Sequence, residues 1–412
     1  MSRTSLLLLY VFSIVTPLFA QKNLDTLLTL AMRDNLTILQ AETKAKAADL
    51  AIQSSSALPD PVLMIEARGI PQTLDLQETS ETMFMFEQTL PFPGKINNKK
   101  NKAKYTATTE AERIKLSKRM VKKNLVQLYA QLFKTDNFIM LNQKNREISD
   151  KLQKIIKEQY ILSLTSQQSM IKIDLEITRL LIEREKLYQN RQSIVAGINN
   201  LIQQNKEFPP GYAELSVNIR SLEINTQEIS QRLKKENPTL QAIQQQISSN
   251  KIDVKLAALG NKPDFKLMGG YMLMNNMDDM YMARVGMTLP FLPWSNKDAK
   301  YGRETAMVNV NYFEKVYQNE LQRQQFIVDK TIKILNSMAT ESQLYKKELL
   351  GTGQSQIEAV LLSYQNGKSD FLLVLQTIKD LYNMQKDYYS LIADYNINHA
   401  ELEFFLGDLS QL

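Results

Sequence analysis

Proline is absent from residues 94 to 208 and again from 294 to 412. A proline inside a helix costs about 3 kcal/mol and removes a ladder hydrogen bond, so stretches this long without one are open to continuous helix. The apolar spacing agrees. Ile114, Val121, Leu125, Leu128, Leu132 and Ile139 recur at the helical interval, and Ile173, Ile177, Leu180, Leu187, Ile194, Ile198 and Leu201 do so after Tyr160. Such seams bury one stripe of a helix against its neighbour. The first long helix, 94–163, would measure roughly 105 Å at 1.5 Å per residue.

The remaining prolines flank two short regions of another kind, 59–93 and 263–293. Each holds two runs with strand-like alternation: 62–69 and 82–90, then 265–274 and 281–289. The halves repeat. Leu58-Pro59-Asp60 answers Lys262-Pro263-Asp264, and Thr89-Leu90-Pro91-Phe92 answers Thr288-Leu289-Pro290-Phe291. Tyr160 with Leu162-Ser163 answers Tyr364 with Asn366-Gly367, and Asn35 with Thr37 answers Asn237 with Thr239. This is an internal tandem duplication. The first repeat spans 21–208, a linker 209–221, and the second repeat 222–412. Each half reads as a helix (about 23–56 or 222–259), a strand pair, a long helix (94–163 or 297–366) and a return helix (166–204 or 370–406). The fold class is mainly α with a small β part.

The first 20 residues read as a secretory signal peptide. Arg3 precedes an apolar run from Leu6 to Val15, and a small residue, Ala20, stands at the expected cut. The run is short of the roughly 20 residues a membrane span needs. The sequence has no cysteine, which excludes disulfides, thiolate chemistry and a Cys-anchored lipoprotein. A net charge of +6 spread over 412 residues reads as solvated helix faces rather than a nucleic-acid footprint. No later segment is a candidate transmembrane helix, so membrane insertion, if it occurs, is by strands.

The strands suit that role. One face carries Leu63, Ile65, Ala67, Phe84, Phe86, Phe265, Leu267, Tyr271, Leu273, Tyr281, Ala283, Val285 and Leu289. The other carries Glu66, Arg68, Glu81, Glu87, Lys266 and Arg284. Apolar outside and polar inside is the pattern of a water-filled lumen in lipid. Four strands cannot close a barrel, which takes roughly eight or more, and an open edge is not tolerated in hydrocarbon. If the strands span a membrane, the barrel must therefore be shared between subunits; the competing reading is a soluble two-faced sheet.

With these features in place the chain resembles the TolC-like outer-membrane efflux protein family (outer membrane factors). The resemblance rests on LTLAMRDNLTILQA at the start, ALPDPVL at 57–63, QTLPFPGK at 88–95, YILSLTSQQSM at 160–170, YQNGKSDFLLVLQ at 364–376 and ELEFFLG at 401–407. DPVL with the later QTLPFPGK is most similar to the heavy-metal cation efflux branch. The resemblance implies a homotrimer with a 12-stranded transmembrane β-barrel, fed by four strands per chain, and a periplasmic α-barrel of long helical hairpins. It implies localisation in the outer membrane of a Gram-negative bacterium. The partners would be outer-membrane lipid, a periplasmic adaptor (membrane fusion) protein and an inner-membrane pump of the resistance-nodulation-division type. No cofactor and no chemistry of its own are implied; the pump supplies the energy. The turns near Ser163 to Ser166 and Gly367 to Asp370, with Tyr160 and Tyr364 beside them, would form the periplasmic tip that gates the tunnel and meets the adaptor.

The sequence departs from the family pattern in places. Asn35 is followed by Leu36 where the family has Pro, Ser163 stands where Gly is usual, and the turns lack acids near Ser169 and Gln376. The acids left to form a cation-selecting ring are Asp174 and Asp370, with Lys368 as a candidate partner; the competing reading is that they cap or solvate helix starts. The Lys-rich run at 95–104 reads as a solvated helix start, or as attraction to anionic headgroups.

Seven methionines lie between Met268 and Met287. On the register set by Lys266 and Arg284, Met268, Met272, Met274 and Met282 point into the lumen, joined by Met64, Met83 and Met85. Met277 and Met280 fall in the extracellular turn, and Met287 faces lipid. Thioethers suit Cu(I) or Ag(I); the plainer reading is that methionine fills a constricted mouth, which is the one expected here.

Two rival classes are weaker. Against a secreted enzyme, the sequence holds a single histidine, His399, which reads as a helix-face residue, no cysteine, and neither a nucleophile-elbow motif nor a P-loop. A soluble periplasmic coiled-coil scaffold would share the helices but not the duplicated strand pairs. Within the channel class, drug efflux and type I secretion compete with metal efflux.

Overall fold

The computed structural model of this protein describes residues 18–70, 72, 79–215, 219–223, 225–275, 277–294 and 296–409. The expected leader lies outside these residues up to residue 17. The described chain runs α1 (Leu18–Asp34), α2 (Leu36–Ser54), β1 (Val62–Arg68), β2 (Glu81–Leu90), α3 (Lys95–Ile161), α4 (Gln167–Ile202), α5 (Thr226–Glu236), α6 (Pro238–Leu259), β3 (Phe265–Met274), β4 (Met280–Met287), α7 (Asn296–Gln365) and α8 (Phe371–Leu406). It is mostly helical, with one small antiparallel sheet.

The long helices follow from the absent prolines: α3 holds 67 residues and α7 holds 70. Two expected helices are each split in two, however. The helix expected over 23–56 breaks at Asn35, whose Oδ1 accepts from the Thr37 N–H at 3.0 Å while its amide donates to the Leu201 carbonyl at 2.9 Å. The helix expected over 222–259 breaks at Asn237, whose Oδ1 accepts from the Thr239 and Leu240 N–H groups, with Pro238 in the first helical position. Asparagine competes with the helical ladder for backbone donors and so starts a new helix. The break at Asn35 needs no proline.

The contacts divide the chain into two compact units, each drawing on both repeats. The first consists of residues up to Ile38, Lys118–Gln231 and Gln325–Leu412. Its core is the seam: Val121, Leu125, Leu132, Ile173, Leu180, Ile194 and Ile198 are buried, joined by Val328 and Leu335 of α7 and Ile378, Ile392 and Leu402 of α8. The linker is held against this bundle by hydrogen bonds. Asp136 and Arg191 form an ion pair at 2.6 Å. Tyr129 Oη accepts from the Glu214 N–H, and Tyr395 Oη donates to the Arg220 carbonyl at 2.9 Å. Asn336 both accepts from and donates to the Leu222 backbone.

The second unit consists of Leu39–Ser117 and Arg232–Gln324 and contains the sheet. Its strands lie in the order β1-β2-β3-β4, all antiparallel. Met280 opens β4 opposite Met272 rather than lying in the turn as expected. The short connection from Met274 leaves it within reach of the ladder.

Candidate functional site

The sheet has an inverted polarity for a protein in water. The register sets Leu63 opposite Phe86, Ile65 opposite Phe84, Phe84 opposite Tyr271, and Tyr271 opposite Tyr281. These apolar residues share one face, and it is the exposed face: Leu63 is 70% exposed and Tyr281 88%. The opposite face is buried at its centre, where Met83 is only 2% exposed and Met85 5%. A contiguous apolar band of this kind calls for a non-aqueous environment.

The covered face brings together the residues singled out in the sequence. Met64 pairs with Met85, Met83 with Met272, and Met272 with Met280. Met85 lies opposite Gly270, which in turn lies opposite Met282. A Cβ at Gly270 would stand 2.8 Å from the Phe84 carbonyl oxygen and 3.0 Å from Met85 Cγ; the bare backbone there leaves the room Met85 occupies. Above and below these rows lie charges. Glu87 meets Lys266 at 2.9 Å, and Arg68 meets Glu66 at 2.7 Å and Glu81 at 4.0 Å. Met268 and Met274 face Glu87 and Glu81 in the register. Arg284 sits opposite Met268 with no ion pair among the described residues. Met287 lies on the apolar face opposite Phe265.

Where β2 and β3 meet the helices, Asp264 ties the strand ends together, a role the sequence did not reveal. Its Oδ1 accepts from the Phe92 N–H at 2.7 Å and from Lys95 Nζ at 2.8 Å, while its backbone N–H donates to Thr288 Oγ1 at 2.8 Å. Partial burial pushes its pKa up, but hydrogen bonds from Lys95 and Phe92, with the charges of Lys95 and Lys99, outweigh that and hold it below the ordinary carboxylate value. A carboxylate whose folded pKa is depressed stabilises the fold above its unfolded value, near about 3.9, and loses that contribution as the pH falls through the lower folded value. Acid melting curves of the wild type should therefore fall more steeply below about pH 4 than those of Asp264→Asn. Parallel curves would remove Asp264 from the account. The run at 95–104 is thus partly engaged within the chain: Lys95 holds Asp264, and Lys102 meets Asp253 at 2.7 Å.

The two helix–helix turns of the first unit are near copies of each other. In one, the Ser163 N–H donates to the Tyr160 carbonyl at 3.0 Å and the Leu164 N–H to the Gln159 carbonyl at 2.8 Å; in the other, Gly367 donates to Tyr364 at 2.9 Å and Lys368 to Ser363 at 2.8 Å. Both closing residues adopt left-handed backbone, with φ 57° at Ser163 and 68° at Gly367. Serine there carries a cost that glycine avoids. Ser166 and Asp370 are the matching N-cap residues. The Asp370 carboxylate accepts from the Leu372 N–H at 3.3 Å, whereas Ser166 makes no such bond and meets Ser169 Oγ instead. The environments also differ: Tyr160 is 45% exposed, and Tyr364 is 5% exposed against Phe371.

Asp174 accepts from Gln153 Nε2 at 2.6 Å. Neither it nor Asp370 forms an ion pair among the described residues, and Lys368 stands without one too, so the proposed Asp370–Lys368 partnership is not formed within the chain. Two ion pairs that the sequence could not reveal instead join α4 to α8, Lys379 to Glu176 at 2.7 Å and Lys386 to Glu183 at 2.6 Å. Their partners lie some two hundred residues apart, where no local pattern links them. Beside these pairs Leu175, Ile182, Leu372 and Leu373 line an open groove of about 980 Å³.

No described helix is long and apolar enough to cross a membrane, and no described cluster of His, Cys, Asp and Glu could hold a metal ion. No protein-family model matches the chain, and no curated protein matches it. Solved structures do. The outer-membrane channel OprN shares the fold with a TM-score of 0.79 at 12% identity, over 95% of this chain and 91% of that one. CusC, described by its transmembrane channel formation, gives 0.80 at 14% identity, over 94% and 92%. The Campylobacter jejuni CmeC outer membrane channel gives 0.74 at 14% identity, over 95% and 87%. The fold is that of these channels.

Proposed function

We propose that this chain is one subunit of a homotrimeric outer-membrane channel, the passive exit duct of a tripartite efflux system. The observation that carries this reading is the sheet's polarity. An exposed aliphatic and aromatic face, an opposite face of charges and methionines, and two edges unpaired among the described residues suit a strand set completed by other subunits in lipid. The shared fold with OprN, CusC and CmeC supports the same reading. The 12-stranded barrel, the periplasmic α-barrel, the adaptor and the resistance-nodulation-division pump belong to the proposal. So does a cargo of heavy-metal cations, which rests on the likeness around ALPDPVL and LPFPGK.

The two turns are the proposed periplasmic gate. Exposed Tyr160, Ile161, Leu162 and Leu164 offer an apolar surface for the adaptor, with Gly367 and Lys368 in the matching turn. Three copies each of Asp174 and Asp370 would ring the opening with negative charge.

Planar bilayer recording of the detergent-extracted protein tests this. Stable conducting events with cation preference are expected, and Asp370→Asn should reduce that preference. Asparagine caps a helix about as well as aspartate, so the variant removes charge and spares the turn. Material that stays soluble without detergent and conducts nothing would end the channel reading and leave the periplasmic scaffold. Conductance with unaltered selectivity in Asp370→Asn would end the acidic-ring reading alone.

A further inference from the structure

The internal duplication allows the register of the missing strand pairing to be worked out. The repeat sets Asp264 against Asp60 and Thr89 against Thr288. Carrying the β1–β2 pair Leu63↔Phe86 forward on those anchors lands on Leu267↔Val285, and Met64↔Met85 lands on Met268↔Arg284. Both are pairs of β3 and β4 in the structure. The two hairpins are thus in the same register, and the anchors are sound.

One strand contact has no copy within the chain. β2 pairs with β3, but the corresponding edges, β4 and β1, pair with no other strand among the described residues. Applying the same anchors to Met85↔Gly270, Phe86↔Gly269 and Gln88↔Leu267 gives Arg284↔Glu66, Val285↔Ile65 and Met287↔Leu63. We infer that the β4 edge of one copy pairs with the β1 edge of the next in this register, with Arg284 seated opposite Glu66 across the seam. The inference rests on the proposed oligomeric channel and specifies how its subunits join.

Several observations agree with this register. The register keeps the faces intact: Val285, Ile65, Met287 and Leu63 all fall on the exposed apolar side. On the covered side it brings together Glu66 and Arg284, opposite charges at strand edges, where like charges would repel. Arg284 forms no ion pair among the described residues, so its charge is available to a second copy. The repeat also assigns a partner to Asp60. As Asp264 accepts from the Phe92 N–H, Asp60 would accept from the Phe291 N–H of the neighbour. Asp60 is exposed, and it too lacks an ion pair among the described residues.

The geometry of closure is consistent as well. Crossing the strands from Leu63 leads to Phe86, Gly269 and Ala283, and the inferred seam then leads to Ala67 of the next copy. The path advances four residues for four strands. A shear equal to strand number corresponds to a tilt of about 36°, within the usual range for barrels.

Cysteine pairs read the register directly, because the chain has no cysteine of its own. Neighbouring antiparallel pairs alternate in spacing, so two adjacent positions are used: Glu66→Cys with Arg284→Cys, and Ile65→Cys with Val285→Cys. Full-length protein in isolated membranes, oxidised and run on a non-reducing denaturing gel, should give covalent dimers and trimers from at least one of them. The offset pairs Glu66→Cys with Met282→Cys, and Glu66→Cys with Gly286→Cys, should stay monomeric, because diagonal neighbours lie about 7–8 Å apart and a disulfide needs closer Cβ atoms. Charge reversal is a second reading. Glu66→Arg alone should shift the detergent-extracted protein toward monomer on native electrophoresis, and Glu66→Arg with Arg284→Glu should restore the oligomer. Preferential cross-linking of an offset pair would overturn the register while leaving the oligomeric channel intact. Conducting channels with no cross-link from any pair would overturn the seam itself.

Discussion

Arg191→Met is expected to release residues 208–211, where the linker begins, from the helices of the first unit, at a cost of about 3–5 kcal/mol. The guanidinium has two tasks. Its Nε binds Asp136 Oδ1 at 2.6 Å, and its terminal nitrogen donates to the carbonyls of Phe208 and Pro209, both at 2.9 Å. Asp136 in turn accepts from the Gly211 N–H at 2.9 Å. Both side chains are largely buried. Removing one partner leaves a charge out of water without compensation, while removing both is far milder. Asp136→Leu combined with Arg191→Met should therefore recover much of the loss seen in Arg191→Met alone. Chemical unfolding of the wild type and the two variants, with limited proteolysis at the linker, separates the cases. A single variant as resistant to protease as the wild type would show the pair to be dispensable.

The sequence made the helices and the strands legible because both depend on local signals. Proline-free length specifies α3 and α7, and seam spacing specifies α3 and α4; alternation specifies β1 to β4 to within about two residues, which is the ordinary scatter of element ends. The breaks at Asn35 and Asn237 were less visible. An asparagine reads equally as a helix surface residue or a cap, and only the hydrogen bonds to Thr37 and Thr239 decide between them. The faces of the sheet were readable because a strand offers two choices, and Lys266 and Arg284 selected one. The residues that hold the parts together were not. Asp264 with Lys95, Glu176 with Lys379, and Asp136 with Arg191 are far apart in sequence, and each alone is an ordinary charged residue. The asymmetry of the turns was likewise hidden, since Tyr160 and Tyr364 occupy matching positions with opposite exposure.

The second large effect concerns the methionines. Met83→Lys is expected to cost at least about 2–3 kcal/mol and to lower the yield of folded protein. Met83 is 2% exposed and packed between Glu66 and Met272, so an ammonium there would lose its water or force the row apart. Met83→Leu conserves volume and should cost less than about 1.5 kcal/mol. The same logic decides what the thioethers do. If they fill space, replacing Met83, Met85 and Met272 by leucine leaves single-channel conductance unchanged, and Ag⁺ in the bath affects neither form. That is the outcome expected here. A duct must release whatever it passes, and the rows are built around packing, with Gly270 leaving Met85 its space. Current blocked by Ag⁺ in the wild type and spared in the leucine variant would overturn this and make the covered face a soft-metal site. Thioether chemistry would then have to be reconciled with rapid exit, since flexible, polarisable side chains serve either role.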